Sequence, residues 1–187
     1  MGKQIEKSIE LEHWEEARAL IRSELKRHAG DHWLLTRLGL TYYEQRQYKR
    51  ALRYTEKALA IAPNCPLVLW DYATSLDMLE HREEAISIYL RIIKRGINRI
   101  ANGECGEGKA WARGLVADCH YRLAHCYRDL SQHENAIKEY KRHLSLRGPG
   151  CRSIYHIDKV RKELRNIDRA EGDRNAQKTV DLQRRGA

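Results

Sequence analysis

The sequence predicts an all-α protein built from repeated helical hairpins, and three observations support this class. Ala17, Ala51 and Ala85 stand in similar contexts at intervals of 34 residues. A fourth alanine, Ala136, follows after 51 residues, which is one further interval plus an insertion of 17 residues. The composition, 42% hydrophobic and 33% charged, is typical of a helix-rich chain with a well-solvated surface. A fixed period of this length indicates helical units stacked one on the next.

The second repeat shows how each unit is expected to fold. Leu35, Leu38 and Tyr42 fall at helical spacing and form one apolar face. Gly39 lies on the first helix of the pair and Ala51 on the second. Small residues at both places let the two helices cross closely, so an antiparallel hairpin is predicted.

Two polar positions predict where helices begin. Asp31 follows Gly30 and is a typical N-cap residue behind a C-terminal glycine. Ser131 and Glu134 form a capping-box pattern ahead of the second helix of the last repeat.

These positions resemble the tetratricopeptide repeat (TPR) family. The second repeat carries the residue types that the family pattern expects at Leu35, Leu38, Gly39, Tyr42, Ala51, Ala58 and Pro63. The third and fourth repeats match at fewer positions, and the first matches only in its second helix. The resemblance covers about residues 3–150. It implies an all-α, right-handed α-solenoid of stacked antiparallel helix hairpins with a C-terminal capping helix.

The period and the resemblance together define a single TPR domain over residues 1–170. Its predicted parts are repeats at about 3–31, 32–65, 66–99 and 117–150, an elongated hairpin insertion at 100–116, and a capping helix at 152–169. Apolar residues recur at helical spacing in the capping helix, among charges. The polar basic tail at 171–187 has few large aliphatic residues, so we expect it to be disordered.

The insertion contains a stretch from Gly103 to Lys109 that fits the phosphate-loop pattern G-x-x-x-x-G-K. A phosphate loop needs a preceding strand and a hydroxyl residue after the lysine. The preceding segment is predicted to be helical, and Ala110 follows the lysine. Glu104 and Glu107 would also repel a phosphate from the backbone amides. The stretch is therefore interpreted as a glycine-rich turn and not as a nucleotide site.

This turn is expected to project between two extended helices. The incoming helix keeps its apolar pattern to about Ile100, with a bend allowed at Gly96, and the outgoing helix is predicted from about Lys109 to Leu130, with a bend allowed at Gly114. A projecting tip would offer a second contact surface, formed by Glu104, Cys105, Glu107 and Lys109.

The cysteines and histidines do not predict a metal site. Cys119 and Cys126 share a helix face but lie about 10 Å apart along the axis, too far to bind one ion. His120 and His125 diverge on the same helix. Cys105 is expected to be the most exposed cysteine, and its acidic neighbours argue against a reactive thiolate. The sequence therefore predicts no metal, no cofactor, no catalytic residue and no enzymatic activity.

The TPR resemblance implies a concave binding groove lined mainly by the first helix of each hairpin. The positions carried over by register are Trp33, Arg37, Leu40, Tyr43, Trp70, Asp71, Thr74, Met78, Tyr121, Arg122, His125 and Arg128. Aromatic residues beside arginines favour an apolar or mixed peptide with acidic groups at one end. In the alternative interpretation, Trp33 and Trp70 only cover the seams between repeats.

The leading hypothesis is a non-enzymatic adaptor that docks a peptide or protein segment in this groove. Residues 141–187 carry 13 Lys and Arg against 6 Asp and Glu, so nucleic-acid binding through the C-terminal helix and tail is an alternative. A TPR-type secretion chaperone is a further alternative, and a homodimer is left open.

Location is expected to be cytoplasmic, without membrane insertion. No apolar run reaches the length that spans a bilayer, and the charged N-terminus lacks the apolar core of a secretory signal. The five cysteines have no disulfide-framework spacing, which favours reduced thiols.

Overall fold

The computed structural model describes residues 1–169, and its regular structure is helical. The helices in chain order are α1 (Gly2–Glu10), α2 (Trp14–Arg27), α3 (His32–Glu44), α4 (Tyr48–Ile61), α5 (Pro66–Met78), α6 (Arg82–Arg95), α7 (Ile97–Asn102), α8 (Lys109–Asp129), α9 (His133–Leu146) and α10 (157–169). The all-α prediction is confirmed. The predicted tail at 171–187 lies outside the described residues.

The chain forms two compact units. The first comprises Met1–Lys94 together with Gly103–Gly106, and the second comprises Arg95–Asn102 and the described residues from Glu107 to 169. The first unit thus holds the first two predicted repeats, the third as far as Lys94, and the tip of the insertion. The second holds the fourth predicted repeat and the C-terminal helix.

The core of the first unit joins α1 to α4 through one apolar cluster. Ile5, Ile21, Leu34, Leu38 and Tyr42 are buried in it. Leu38 and Tyr42 of the predicted apolar face of α3 lie in this cluster, and Leu35 is buried in a second cluster with Ala58, Cys65 and Val68. Burial of such aliphatic and aromatic side chains is the main stabilising contribution to a hairpin stack.

Gly39 shows why a small residue is needed where α3 and α4 cross. A Cβ atom added at Gly39 would lie 3.1 Å from Cγ2 of Thr55 and 3.4 Å from the backbone oxygen of Ala51. These distances leave little room for a side chain. The close helix crossing predicted at this position is confirmed.

The two predicted helix starts have different outcomes. Asp31 is the N-cap of α3, and its side chain accepts a hydrogen bond from the backbone N–H of Leu34 at 3.1 Å, as predicted. The capping box at Ser131 is wrong, because the N-cap of α9 is Gln132, which makes no side-chain capping bond. Ser131 adopts a left-handed backbone with φ 59° and closes the preceding turn instead.

The insertion bends where glycine permits it. Helix α6 ends at Arg95, and Gly96 adopts a φ of 75° before α7 begins. Positive φ is readily available only to glycine, so the incoming helix breaks here instead of continuing to Ile100. Helix α8 begins at Lys109 and ends at Asp129, close to the predicted bounds.

Gly114 lies inside α8 and serves a packing role. A Cβ atom at this position would lie 2.0 Å from the backbone oxygen of Arg152 and 3.0 Å from the backbone nitrogen of Ser153. The segment that follows α9 therefore crosses α8 directly over the glycine. Close backbone approach, and not a bend, explains a glycine here.

The C-terminal helix begins later than the predicted residue 152. Residues 151–156 are not helical, and helical structure starts at 157. Asp118 holds this segment, because its carboxylate accepts hydrogen bonds from the Ser153 hydroxyl and, at 3.1 Å, from the Ile154 backbone N–H. Val160 and Leu164 of α10 then pack against Tyr121, Ala124 and Tyr140. The predicted capping contact is present with a shorter helix.

Within residues 1–169, no helix combines the length and the apolar character needed to cross a bilayer.

Candidate functional site

The predicted groove positions of the first unit lie on α3 and α5 and differ in accessibility. Thr74 is buried, and its hydroxyl donates to the Asp71 backbone oxygen at 3.1 Å. Met78 is 37% exposed. The remaining positions are half-buried: Trp33, Arg37, Leu40, Tyr43, Trp70 and Asp71. Apart from Thr74, these side chains together form what we call the α3–α5 surface.

Arg37 is partly engaged by the N-terminal helix. Its guanidinium lies 3.0 Å from Oε1 of Glu6 on α1. The same guanidinium stands over the Trp33 ring, 5.6 Å from the ring centroid. The ion pair neutralises much of the positive charge at this end of the α3–α5 surface.

Asp71 is the unusual group on this surface. Its Oδ2 atom is buried and has no hydrogen-bond partner among the described residues. Burial raises the pKa of Asp71 to about 7, although the Arg37 charge opposes the shift, and Glu44 adds to it by repulsion. A buried carboxylate oxygen without a donor is costly, so a ligand donor that reached Oδ2 after a small shift of the covering side chains would remove that cost.

Two aromatic residues of the α3–α5 surface pack against tyrosines of the neighbouring helices α4 and α6. The ring of Trp70 packs against Tyr89 of α6 with centroids 5.8 Å apart. Tyr43 meets Tyr48 of α4 edge-on at 5.4 Å. Trp70 therefore has a buried neighbour on one side and remains partly exposed on the other. The prediction that Trp33 and Trp70 cover seams is compatible with these contacts, since both interpretations require partial burial.

In the second unit the predicted groove positions are covered by the chain itself. Tyr121 is 1% exposed and stacks on Tyr155 with ring centroids 3.8 Å apart. The Tyr121 hydroxyl donates to Glu163 of α10 at 3.2 Å, and Nε2 of His125 lies 2.8 Å from the same carboxylate. Tyr140 donates to Glu163 at 3.0 Å. The expectation that Tyr121 and His125 line an open groove is corrected, because α10 occupies that face.

The electrostatics of Glu163 follow from these contacts. Burial alone would raise the pKa of Glu163, but the hydrogen bond and charge of His125, with the hydrogen bonds from Tyr140 and Tyr121, lower it to about 2. The pKa values of Tyr121 and Tyr140 are raised by burial and by the Glu163 charge. Glu163 therefore stays ionised and holds α10 on the fourth repeat.

Arg122 and Arg128, two further predicted groove positions, lie near this network. Arg128 contacts Nδ1 of His125 at 3.1 Å and pairs with Asp129 at 2.9 Å. Arg122 is half-buried. The Arg128 charge is already engaged within the unit, which weakens the expectation that this end receives an acidic ligand group.

The insertion tip does not project as predicted. Cys105 is half-buried and packs against the cluster of Leu35, Ala58, Cys65 and Val68 in the first unit. Cys105 and Cys151 are both half-buried and the other cysteines are buried, so the expectation that Cys105 is the most exposed cysteine stays a prediction. Among the other predicted tip residues, Glu104, Glu107 and Lys109 are exposed.

Folding back brings Cys105 into a group of metal-ligating side chains. Nε2 of His32 lies 3.1 Å from Sγ of Cys105. The candidate ligand atoms of His32, Cys65 and Cys105 all lie within 4.8 Å of one another. Sequence reasoning missed His32 and Cys65. The repeat register offered a signal, because these two residues stand about one repeat apart and begin neighbouring hairpins.

Lys109 belongs to a basic cavity of the second unit. The cavity has a volume of about 400 Å³ and is lined in part by Arg95, Arg99, Lys109 and Arg113. Lys109 is the first residue of α8, directly after Gly108. Its position at a helix start among arginines favours acidic groups over apolar ones.

Comparisons with known proteins identify the repeats. Family models for the tetratricopeptide repeat match residues 32–65 and 117–148. These segments coincide with the second and fourth predicted repeats. The chain is a tetratricopeptide-repeat protein.

Solved structures of low sequence identity share the TPR fold with this chain. A MamA fragment from Desulfovibrio magneticus is 16% identical, with a TM-score of 0.70 over 97% of this chain and 92% of that one. The complex described as the TPR2AB domain of yeast Sti1 with pHSP90 is 18% identical, with a TM-score of 0.61 over 78% and 49% of the two chains. The first TPR of Spaghetti (RPAP3), bound to an HSP90 peptide, is 20% identical, with a TM-score of 0.54 over 75% and 93%. A sequence search of curated proteins found no match.

The TPR register shows that the two units use equivalent positions differently. Trp70 and Tyr121 occupy the same place in their repeats, as do Thr74 and His125, since Ala85 and Ala136 align. In the first unit Trp70 is partly exposed, whereas in the second Tyr121 lies beneath α10.

The basic residues of α10 lie on its solvent side in this TPR protein. The exposed ones are Lys159, Arg161, Lys162, Arg165 and Arg169. Arg161 lies 3.3 Å from Asp158 of the same helix. Exposure of this kind is common to solvated helix faces and to nucleic-acid surfaces, so nucleic-acid binding stays a prediction that rests on charge.

Proposed function

We propose that this TPR chain is a non-enzymatic protein-interaction module whose α3–α5 surface binds an extended peptide segment. The observation that carries the proposal is the buried Asp71 oxygen that lacks a hydrogen-bond partner among the described residues. Leu40 of α3 and Trp70 and Met78 of α5 belong to the same surface and are partly exposed. Apolar anchors around one unsatisfied polar group are typical of a peptide-recognition surface.

Asp71 favours a ligand that brings a hydrogen-bond donor. A backbone N–H, or the cationic end of a lysine or arginine side chain, would satisfy the Oδ2 atom. Hydrogen bonds to charged groups contribute about 1.5–3 kcal/mol, more than those between neutral groups. Because its raised pKa is about 7, Asp71 is partly protonated at neutral pH. Binding of a donor would favour the ionised form, so ligand binding should release a proton.

Trp70 and Met78 favour an apolar side chain beside that donor. Tryptophan residues with one supported face are common centres of binding energy. Methionine adapts to ligands of different shape because its side chain is unbranched and flexible. An apolar residue next to a backbone or side-chain donor is therefore the expected core of the recognised segment.

The proposed ligand differs from the acidic-ended peptide expected from sequence. Arg128 is engaged with His125 and Asp129, and Arg37 is paired with Glu6. The basic groups that motivated an acidic end are thus already neutralised in part. A mixed apolar segment with a donor or a positive charge suits the α3–α5 surface better. The TPR structures of Sti1 and RPAP3, whose descriptions name pHSP90 and an HSP90 peptide, support peptide binding as the general class.

Peptide selection followed by calorimetry tests the proposal. A displayed library of random peptides is selected on the wild-type chain, and the enriched peptides are synthesised for isothermal titration. We expect Trp70→Ala and Asp71→Ala each to weaken binding at least tenfold, which corresponds to about 1.4 kcal/mol. Enriched peptides should combine an apolar residue with a lysine or arginine.

Arg53→Ala is the matched control, since Arg53 is exposed on α4 and lines a different, basic cavity with Arg22, Arg50 and Lys57. Thermal unfolding of each variant separates lost binding from lost folding. Peptides that bind both α3–α5 variants as tightly as wild type would reject the proposal. Loss of binding only in Arg53→Ala would move the site to the α4 cavity.

A further inference from the structure

The first unit contains three metal-ligating side chains that converge from separate parts of the chain. His32 is the first residue of α3, Cys65 is the N-cap of α5, and Cys105 lies in the insertion tip. All three ligand atoms lie within 4.8 Å of one another, and Nε2 of His32 lies 3.1 Å from Sγ of Cys105. We propose that these residues form a zinc site.

The separations are close to those that a zinc ion needs. Tetrahedral zinc binds sulfur at about 2.3 Å and nitrogen at about 2.0 Å, so two sulfur ligands lie about 3.8 Å apart and a sulfur and a nitrogen about 3.6 Å apart. The His32–Cys105 distance of 3.1 Å must open by a few tenths of an ångström. A pair of ligand atoms as far apart as the 4.8 Å limit would have to close by about 1 Å. Changes of this size are small enough for the proposal to require only local side-chain adjustment.

The local structure fixes two of the ligands before any metal binds. Cys65 is 4% exposed and makes no side-chain capping bond, so its sulfur is not committed to the α5 backbone. His32 follows the Asp31 cap, which bonds the Leu34 N–H and holds the start of α3. Both residues thus sit on the ends of packed helices, which limits the reorganisation that binding requires.

The insertion supplies the third ligand. Cys105 adopts a left-handed backbone with φ 62°, inside a turn closed by the Gly106 N–H and the Gly103 oxygen at 3.0 Å. The Cys105 side chain also packs on the cluster that contains Cys65 and Val68. A plain stack of hairpins would lack this residue. The insertion therefore completes the site, and the metal would fasten the tip to the starts of α3 and α5.

The ligand set selects the class of metal. Two cysteine sulfurs and one imidazole suit zinc, whereas calcium and magnesium require oxygen ligands. Three protein ligands leave a fourth position of the tetrahedron for water or for a group from another molecule. His32 and Cys105 are only half-buried, so solvent can reach that position.

Zinc titration of the full-length chain under a non-thiol reductant tests this proposal. Competition with a chromophoric chelator gives the stoichiometry and the affinity, and cobalt substitution reports thiolate ligation by its charge-transfer absorption. We expect one zinc per chain, an increase in the unfolding temperature with zinc, and tighter binding at higher pH because the thiols must lose their protons.

Cys105→Ala and His32→Ala are the informative variants, because both side chains are partly exposed and their loss should disturb the core less than loss of the buried Cys65. Each should weaken zinc binding at least about 100-fold, since even second-shell changes cost 10–100-fold. Cys151→Ala is the matched control, a half-buried cysteine of the second unit that should bind zinc like wild type. Zinc should also protect Cys65 and Cys105, but not Cys151, from alkylation.

Equal zinc affinity in wild type and Cys105→Ala would overturn the proposal. A reduced wild-type chain that binds no zinc would overturn it as well. Circular dichroism of each variant verifies that the helices are retained, so a misfolded variant cannot imitate the expected loss.

Discussion

The two units use the same repeat positions in opposite ways. In the first, Trp70 is partly exposed and the neighbouring Asp71 keeps a buried oxygen without a hydrogen-bond partner among the described residues. In the second, the equivalent Tyr121 is buried under Tyr155 and donates to Glu163 of α10. Asp71 thus has one oxygen without a partner among the described residues, whereas the Glu163 carboxylate contacts Tyr121, His125 and Tyr140.

This difference shows that an aromatic residue at a given repeat position can have two roles, depending on what packs against it. A helix face that is suited to bind a peptide is equally suited to bind the next helix of its own chain. The second unit satisfies its face with α10 and gains stability. In the first unit, Trp70 and Met78 on the equivalent face of α5 remain partly exposed. The cost is at Asp71, where burial of the carboxylate raises its pKa to about 7.

The largest expected effect comes from Gly114→Ala, which tests whether α8 must accept the segment before α10. The new Cβ would lie 2.0 Å from the Arg152 backbone oxygen, so the segment has to move. We expect a loss of about 2–3 kcal/mol in the free energy of unfolding of the second unit, as overpacking typically costs. Urea unfolding measures it.

Gly39→Ala is the control in the first unit. Its nearest contact is the Thr55 side chain at 3.1 Å, which can shift, and alanine gains about 1 kcal/mol of helix propensity over glycine. A net change below about 1 kcal/mol is expected for Gly39→Ala. Equal losses in both variants would show that backbone contact at Gly114 is not special.

Glu163→Ala tests what holds α10 in place. The substitution leaves the hydroxyls of Tyr121 and Tyr140 and the ring of His125 without their acceptor. We expect a loss of about 2 kcal/mol, the cost of leaving buried donors unpaired. Hydrogen exchange should accelerate in residues 157–169 while α3 and α5 stay protected. Unchanged exchange in α10 would contradict the role given to Glu163.

The two carboxylates predict opposite pH dependence. The folded-state pKa of Glu163 is about 2, below the unfolded value of about 4.3, so its contribution is complete above about pH 5 and is lost as pH falls toward 2. The folded-state pKa of Asp71 is about 7, above the unfolded value of about 3.9, so stability is lost as pH rises from about 4 to 7. Each effect is expected to be about 1–2 kcal/mol after solvent screening.

Asp71→Asn isolates the second of these effects. The asparagine does not ionise, so the variant should gain about 1–2 kcal/mol over wild type at pH 8 and little at pH 4. Thermal unfolding across this range measures the difference between the two proteins. A constant difference at all pH values would mean that Asp71 does not titrate in the folded chain.

Tyr121→Phe gives the smallest expected change and sharpens the comparison. It removes the hydroxyl that donates to Glu163 at 3.2 Å but keeps the ring that stacks on Tyr155. We expect a loss of about 0.5–1 kcal/mol, the usual contribution of one hydrogen bond. A larger loss, measured by urea unfolding, would indicate that the Glu163 network is cooperative.

Local sequence signals predicted most helix positions well, but they predicted poorly which segments pack against those helices. The Asp31 cap and the start of α8 at Lys109 were predicted because a cap and a helix depend on residues close in sequence. The capping box at Ser131 failed because the turn after α8 takes a left-handed residue there. Gly114 was predicted as a point of weakness, but its partner, the Arg152 backbone, lies far along the chain.

The predicted groove positions likewise fall into two groups, those left partly exposed and those covered by a later helix. The register selected Trp70, Asp71 and Met78 as surface positions of a TPR helix, and the structure leaves them partly exposed on α5. The same register selected Tyr121 and His125, which α10 covers. Repeat spacing defines a helix face but carries no information on what later segment packs against it.

By itself, the sequence determined the TPR family, the helical hairpins and the place of the insertion, because a 34-residue period and helical spacing are properties of the linear chain. Only the tertiary structure decided that Cys105 folds back toward His32 and Cys65, and that Glu163 satisfies Tyr121 and His125. These contacts join residues far apart in sequence. They depend on where the chain bends at Gly96 and how closely it passes Gly114.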